Sequence, residues 1–212
     1  MSTQATKRRT GLRSIEKLAK TELYSEELGI ALRTRQDREY FKWFLASLLF
    51  GGRISETIAK NTYRAFARHQ LLTPRAILAA GWDFLVNPIM REGGYVRYDG
   101  RKSTQVLRDS EALVEEYASS LKKLHDVAAN SSDLEARLRA FFGVGPVTVN
   151  IFLRELRPFW RKARPQPLPA VRRLAVEYGV DLDRLDPATI RYARIEAGLI
   201  RARHVAPRAM RP

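Results

Sequence analysis

The sequence contains no cysteine and only three histidines among its 212 residues. Without thiols the chain cannot form disulfides, iron–sulfur clusters or zinc sites with thiolate ligands. The histidines, His69, His125 and His204, are scattered and lack the spacing of a metal site. Any chemistry must therefore come from carboxylates, amines, hydroxyls or the backbone.

Long apolar runs are absent as well. No stretch approaches the ~20 residues that a membrane-spanning helix requires. The first residues, MSTQATKRRTGLR, lack the apolar segment of a signal peptide. We therefore expect an intracellular protein, in the cytoplasm, nucleoid or nucleus, that does not associate with a membrane.

Acidic residues are outnumbered by basic ones, with 23 Asp and Glu against 38 Lys and Arg and a formal net charge of +15. Such an excess is typical of proteins that bind polyanions, because contact with phosphates releases counterions. Binding to an acidic membrane surface would require a basic amphipathic helix with a separate apolar face, which the sequence does not show. Binding to RNA is another alternative, although no segment resembles an aromatic RNP strand or a KH loop. The charge favours nucleic acid as the partner.

Helical periodicity dominates the chain, and alternating runs of β-branched residues are missing, so the sequence predicts an all-α fold. Between Glu39 and Phe50, apolar side chains recur at helical spacing and form one core-facing stripe. Thr73 and Pro74 are residue types that cap and begin a helix. Ser132 or Asp133 is the predicted cap of the helix before residue 143. The other predicted helices cover residues 55–70, 74–80, 82–90 with an interruption at Pro88, 103–119, 146–156, 170–178 and 188–203. A loop is predicted at 95–102 and an extended basic connector at 157–169.

The most informative stretch is LRAFFGVGPVTVNIFLR, residues 138–154. Gly143 and Gly145 permit backbone torsions and close approaches that a side chain would prevent. Because Pro146 begins a helix directly afterwards, amides of the turn can bind one phosphate beside the helix N-terminus. Thr148 lies in the first turn, where its hydroxyl could bind the same phosphate. Such a contact holds the backbone of a nucleic acid without reading its sequence.

This hairpin resembles the helix-hairpin-helix motif of the DNA glycosylase superfamily, which includes endonuclease III and the alkyladenine glycosylases. The resemblance extends over residues 36–180 and implies a two-lobed all-α fold with duplex DNA across the cleft. The expected divisions are a basic N-terminal segment with the first helix (1–35), a helical lobe (36–130), a hairpin lobe (131–203) and a basic tail (204–212). A monomer is expected.

The resemblance also implies DNA-binding residues. They are the hairpin positions and an arginine that could fill the gap left by a flipped base: Gly143, Val144, Gly145, Val147, Thr148 and Arg53. Tyr95 and Tyr98 are candidates for stacking on that base. We expect no cofactor, and leave open a monovalent or divalent cation at the hairpin.

The sequence departs from the family where the chemistry is expected. Family members commonly use an Asp that stabilises the developing oxocarbenium charge, and its position here is Leu168. Bifunctional members carry a Lys that forms a Schiff base, and its position here is Val147. Substitute groups from other positions are the carboxylates Glu92, Asp99 and Glu155 and the amines Lys102 and Lys162.

Two interpretations remain open. In the first, the protein is a monofunctional glycosylase of base excision repair, which flips a damaged base into a pocket and cleaves its N-glycosidic bond with a carboxylate from elsewhere. In the second, it binds damaged or distorted DNA without chemistry. The absence of both expected residues favours the second.

Overall fold

The structure, a computed structural model, describes residues 14–205. This part of the chain consists of helices and turns without any strand, which confirms the predicted all-α class. After a short helical segment at 14–18, the helices are α1 (Tyr24–Glu27), α2 (Asp37–Phe50), α3 (Glu56–Arg68), α4 (Pro74–Phe84), α5 (Arg91–Gly93), α6 (Asp99–Tyr117), α7 (Leu121–Val127), α8 (Ser131–Ala140), α9 (Pro146–Leu156), α10 (Pro169–Glu177) and α11 (Ile190–Val205).

Neither terminus is fully described. The basic residues before 14 and most of the predicted tail, from 206 on, lie outside the described residues. Within 14–205, no helix has both the length and the apolar character needed to cross a membrane.

Helix α2 lies at the centre of the main core. Its predicted apolar stripe is buried, and the helix packs against α3 and α9. Trp43 donates its indole N–H to the carbonyl oxygen of Phe152 at 3.0 Å. The rings of Phe44 and Phe152 meet edge to face with centroids 5.4 Å apart. These contacts fix α9 against the core, and with it the hairpin that precedes α9.

The buried apolar side chains form two clusters. The main cluster extends from Leu23 to Ala163 and includes two alanines of α11. The smaller cluster joins Leu18 to α10 and α11, where Val171 and Leu199 are among its members. Because the main cluster has residues on both sides of position 130, the predicted lobes share a core in this structure. The domain boundaries stay a prediction.

The start of α4 confirms the predicted cap. Thr73 accepts a hydrogen bond from the Ala76 N–H through its hydroxyl, and Pro74 is the first helical residue. The predicted cap of α8, Ser132 or Asp133, is wrong by two or three residues. Asn130, in extended conformation, accepts from the Asp133 N–H at 3.0 Å, while the Asp133 carboxylate accepts from the Ala129 N–H.

Helix α6 begins earlier than predicted, so the loop at 95–102 is shorter. Asp99 is the first residue of α6, and its carboxylate accepts from the Gly100 N–H at 2.7 Å. The indole of Trp82 donates to the Gly100 carbonyl at 3.2 Å, which holds this first turn in place. Helix α7 was not predicted. It is capped by Ser120 and anchored by the buried Leu121 and Leu124.

The predicted helix over 82–90 is more broken than its sequence indicates. Gly81 has φ 76° and interrupts α4, and Asn87 is extended before Pro88. Leu85–Met90 forms a π-helical turn that leads into α5. Gly94, in the left-handed region, ends this segment as predicted.

The segment at 157–169 is an extended connector only in part. Trp160 and Ala163 are buried in the main core, and Arg157 is buried beside α11. Lys162 donates to the carbonyl oxygens of His125 and Asp126 at the end of α7. Its amine therefore stabilises a helix C-terminus.

Candidate functional site

The hairpin between α8 and α9 is a tight turn. Helix α8 ends at Ala140, and the Val144 N–H donates back to the Phe141 carbonyl at 3.2 Å. Gly145 is the N-cap of α9, but it has no side chain to cap the helix. The exposed start of α9 thus relies on groups outside its own turn for capping.

The two glycines of the turn serve different needs. Gly143 has φ +70°, a conformation that strains any other residue, and the Gln105 side chain lies 3.3 Å from where a Cβ would stand. Gly145 has φ −95°, and a Cβ there would meet no atom within 4 Å. Packing therefore explains Gly143 but leaves Gly145 unexplained. The open surface at Gly145 allows a partner to approach the backbone closely.

Three amides at the start of α9 have no acceptor within residues 14–205. They belong to Gly145, Val147 and Thr148. Free N–H groups at a helix N-terminus form a site suited to an anion, because their partial positive charges add to the helix dipole.

The side chains predicted to contact DNA differ in exposure. Val147 is half exposed, whereas Val144 and Thr148 are buried. A Cβ on Gly51 would overlap the Thr148 hydroxyl, so the loop after α2 lies directly on the first turn of α9. In this structure Thr148 packs the loop against the helix. Arg53, in the same loop, is exposed and has no partner among the described residues.

A cavity of about 690 Å³ opens beside the hairpin, between α3, α9, α10 and α11. Its lining includes both Val147 and Leu168. The two positions that the resemblance assigns to a Lys and an Asp thus lie around one cavity, although they are far apart in sequence. Both are apolar here, as are most of their neighbours in the wall.

Glu56 is the carboxylate among the lining residues. It accepts from the Tyr24 hydroxyl at 3.1 Å and from Lys60. Burial raises the pKa of Glu56, but hydrogen bonds from Lys60 and Tyr24 and the charge of Lys60 outweigh burial, so its pKa lies below the usual value. Glu56 is therefore ionised at neutral pH. Burial also raises the pKa of Tyr24 to about 12, which keeps its hydroxyl protonated.

Three arginines line the same cavity: Arg154, Arg201 and Arg203. Arg201 binds the Glu27 carboxylate at 2.8 Å, and Arg203 is exposed. The guanidinium of Arg154 stacks over the Tyr24 ring, 5.1 Å from its centroid. Arg154 is only 4% exposed, yet its guanidinium forms no hydrogen bond with any residue in the described chain.

The carboxylates suggested by the sequence lie elsewhere. Glu92 binds Arg68 at 2.6 Å and His69 at 2.9 Å on the surface, and its pKa is lowered chiefly by the hydrogen bond from Arg68. Asp99 begins α6. Glu155 is fully buried and accepts the N–H groups of residues 24 and 25, so it caps α1 from a distance. Burial raises the pKa of Glu155. None of these three lines the cavity.

The tyrosines suggested for base stacking do not line the cavity either. Tyr95 is buried, and a Cβ on Gly52 would overlap its hydroxyl. Tyr98 is exposed beside Arg97, whose guanidinium lies 5.3 Å from the ring centroid. The aromatic rings that do line the cavity are those of Tyr24 and Phe50.

Lys102 is buried between α6, α2 and the hairpin. Its ammonium donates to the Leu48 carbonyl at 2.7 Å and to Gln105 at 2.6 Å. Burial lowers the pKa of Lys102 to about 8, and burial raises the pKa of its neighbour Asp109 to about 7. The amine lies outside the cavity wall, and Gln105, which accepts from it, lies next to Gly143 of the hairpin.

Sequence reasoning missed Glu56, Tyr24 and Arg154 as cavity residues. Glu56 follows the cap Ser55, where an acid is expected for the helix dipole alone. Tyr24 lies in a four-residue helix without periodicity. Arg154 was noted only as the end of the hairpin motif, and no local signal distinguishes it from a paired arginine.

No group of three or more acidic or histidine side chains suited to a metal ion is found within residues 14–205. The cation suggested at the hairpin stays a prediction. No protein-family model, curated protein or solved structure matches this chain.

Proposed function

We propose that this protein binds duplex DNA through a two-lobed helix-hairpin-helix fold of the DNA glycosylase type and recognises damaged or distorted sites. The observation that carries the proposal is that the hairpin and the cavity adjoin. Val147 belongs to the uncapped first turn of α9 and also to the cavity wall. A phosphate held at the turn would place the neighbouring nucleotide at the cavity.

Binding without cleavage is the form of this function that the cavity supports best. Val147 cannot form a Schiff base, and Leu168 cannot stabilise an oxocarbenium ion. The net charge of +15 supports binding to a polyanion. A monomer acting inside the cell on genomic DNA is part of this proposal.

The test is a titration of labelled duplexes, intact or with a mismatch, an abasic site or an alkylated base, over a range of salt concentrations. We expect log Kd to rise with log salt with a slope of about 0.9 for each phosphate contacted. Distorted duplexes should bind more tightly than intact ones. A flat salt response would contradict DNA binding.

The hairpin is tested by Gly145→Leu, whose side chain would cover the free amides. We expect about tenfold weaker binding to all duplexes, since a charge-assisted hydrogen bond contributes roughly 1.5–3 kcal/mol. The matched control is Val176→Leu, which enlarges an apolar side chain that is 80% exposed on α10. Unchanged binding by a folded Gly145→Leu protein would exclude the hairpin as the anchor.

A second candidate function is monofunctional glycosylase activity in base excision repair, and the position of Glu56 favours it. This ionised carboxylate lines the cavity, where a negative charge would stabilise an oxocarbenium ion. Its hydrogen bonds to Tyr24 and Lys60 hold it in one orientation.

Mass spectrometry of free bases decides between the two candidates. Alkylated, oxidised and deaminated duplexes are incubated with a molar excess of protein, either wild type or Glu56→Gln. Release of one damaged base by the wild type only would establish the enzyme and its carboxylate. Tight binding with no release would leave the binding function alone.

A further inference from the structure

Arg154 is a buried cation without a hydrogen-bond acceptor. Its five N–H donors find none among the described residues, and the nearest carboxylate oxygen, on Glu155, is 3.9 Å away. Glu155 instead accepts hydrogen bonds from the backbone N–H groups of Tyr24 and Ser25 in α1. A buried guanidinium left in this state costs free energy, so its position in a cavity wall points to an acceptor supplied by a ligand.

Two helix N-termini without side-chain caps meet the same cavity. Helix α9 begins after Gly145 and α10 after Leu168, and neither residue offers a capping side chain. The N–H groups of Ala170 and Val171 in α10 also lack acceptors in the described part of the chain, and both residues line the cavity. The helix dipoles and the Arg154 charge therefore favour the same kind of ligand, an oxyanion.

The charges around the cavity leave room for an anion. Glu56 would repel it, but Lys60 binds this carboxylate together with that of Glu27. Arg201 also binds Glu27, and its Nε has no partner in the described structure. Arg154, Arg201, Arg203 and Lys60 still outnumber the carboxylates paired with them, Glu27, Glu56 and Glu155, by one.

We propose that this cavity binds a phosphate monoester, with Arg154 as its principal ligand and the free amides of α10 as supporting donors. The apolar wall and the rings of Tyr24 and Phe50 would accommodate the attached nucleoside. The proposal of an anion site depends only on the residues of the cavity. Its assignment to the terminal phosphate of a broken DNA strand, rather than to a free nucleotide, rests on the proposed function.

The first experiment measures binding of small probes to the full chain by calorimetry. The probes are inorganic phosphate, a deoxynucleoside 5′-monophosphate and the same deoxynucleoside without phosphate. We expect the monophosphate to bind at least about tenfold more tightly than the nucleoside, as expected for charge-assisted hydrogen bonds to a buried guanidinium. Equal affinities, or no binding of any probe at millimolar concentration, would overturn the proposal.

Variants locate the site. Arg154→Met keeps the apolar stem and should lower the affinity for the monophosphate at least about tenfold. Arg203→Gln, at an exposed lining residue, should lower the affinity for the monophosphate by a smaller factor. This variant leaves the packing around Arg154 unchanged. The matched control is Arg173→Gln, which removes an exposed charge on α10 outside the cavity. An equal loss in Arg173→Gln and Arg203→Gln would show general screening and contradict the site.

The second experiment identifies the source of the phosphate. Nicked or gapped duplexes that carry a 5′-phosphate or a 5′-hydroxyl at the break are compared, together with an intact duplex. Tighter binding of the phosphorylated break, lost in Arg154→Met, supports strand ends as the source. Preference for the free monophosphate with no effect at breaks would refute the strand-end assignment. Failure of the proposed function is distinct, since all duplexes would then bind weakly while the monophosphate still bound.

Discussion

Helix α9 has a closed side and an open side, and two arginines one helical turn apart illustrate the difference. On the closed side Arg157, just after the helix, donates to the Pro165 carbonyl at 2.6 Å and pairs with Glu196 of α11 at 3.1 Å. On the open side Arg154 faces the cavity with no hydrogen bond to a described residue. Both are 4% exposed. The two arginines are thus equally buried but differ in their hydrogen bonds. Arg157 stabilises the fold, whereas Arg154 is available to a ligand.

The same contrast exists at the turn before α9. Gly143 is required by its own backbone conformation and packs against Gln105, whereas Gly145 faces open space. Gly145 and Arg154, which support a function, thus lie on the open side, beside the cavity. Gly143 and Arg157, which stabilise the fold, are held by contacts within the protein.

The largest expected effect is the difference in unfolding free energy between variants of the two arginines. Arg157→Met should lower the free energy of unfolding by about 3–5 kcal/mol, because Glu196 would be left buried without its partner. Arg154→Met should lower it by less than Arg157→Met, since no hydrogen bond is lost, and Glu155, 3.9 Å away, keeps the hydrogen bonds that it accepts from the backbone of residues 24 and 25. Urea unfolding of both variants measures the difference. Equal losses would mean that Arg154 also belongs to the closed side.

The next effect concerns the buried pair beneath the hairpin, Asp109 and Lys102. The folded-state pKa of Asp109 is raised from 3.8 to about 7, so its favourable contribution is full below pH 3.8 and is lost as pH rises towards 7. Asp109→Asn should remove this loss and gain up to about 4 kcal/mol at pH 7 relative to the wild type, since one pKa unit corresponds to about 1.4 kcal/mol. Lys102, with a pKa lowered to about 8, weakens the fold as pH falls from 10.5 towards 8.

Unfolding free energies of the wild type and Asp109→Asn, measured from pH 4 to pH 9, test this prediction. The groups facing the carboxylate include Lys102, Arg108, Gln105 and the Phe142 N–H, all of which are retained in the variant. A constant difference between the two proteins across this range would show that Asp109 does not titrate in the folded state as described.

A smaller effect distinguishes the two glycines of the turn. Gly143→Ala should cost about 1–2 kcal/mol of stability, because alanine is strained at positive φ. Gly145→Ala should leave the stability within about 0.5 kcal/mol of the wild type, as expected for an exposed site without a special contact. Thermal unfolding gives both values. A large loss in Gly145→Ala would place this residue among those that the fold requires.

The smallest effect concerns Arg53, in the loop after α2. Because this exposed arginine has no partner in the described chain, Arg53→Gln should leave stability unchanged. If Arg53 contacts one phosphate, the salt dependence of duplex binding should lose about 0.9 from its slope. Fluorescence anisotropy at several salt concentrations measures this slope. An unchanged slope would remove Arg53 from the interface.

Local sequence signals predicted much of this fold but little of its cavity. The α2 stripe, the Thr73 cap and the Pro146 start were predictable because each depends on residues within one or two turns. The wall of the cavity depends on contacts across the chain. Tyr24 meets Glu56, and Glu155 caps α1 from more than a hundred residues away, and no local pattern encodes such pairings.

Leu168 and Val147 illustrate a further limit. The resemblance assigned both to chemical positions, but the sequence alone could not place them around one cavity, because the turn-rich segment between α9 and α10 has no periodicity. Lys162 and Arg157 were interpreted as connector cations. Lys162 in fact contacts the end of α7, and Arg157 is buried against α11, and both partners are too distant in sequence for a local pattern to predict them.

The interlock of Gly51 with Thr148 has a consequence for the kinetics of binding. Because the loop after α2 lies directly on α9, these two walls of the cavity cannot move apart without breaking this packing. On this side the mouth of the cavity is fixed before a ligand arrives, so little conformational entropy would be lost there on binding. Differences in affinity among ligands should therefore appear mainly in their dissociation rates, with association rates nearly constant.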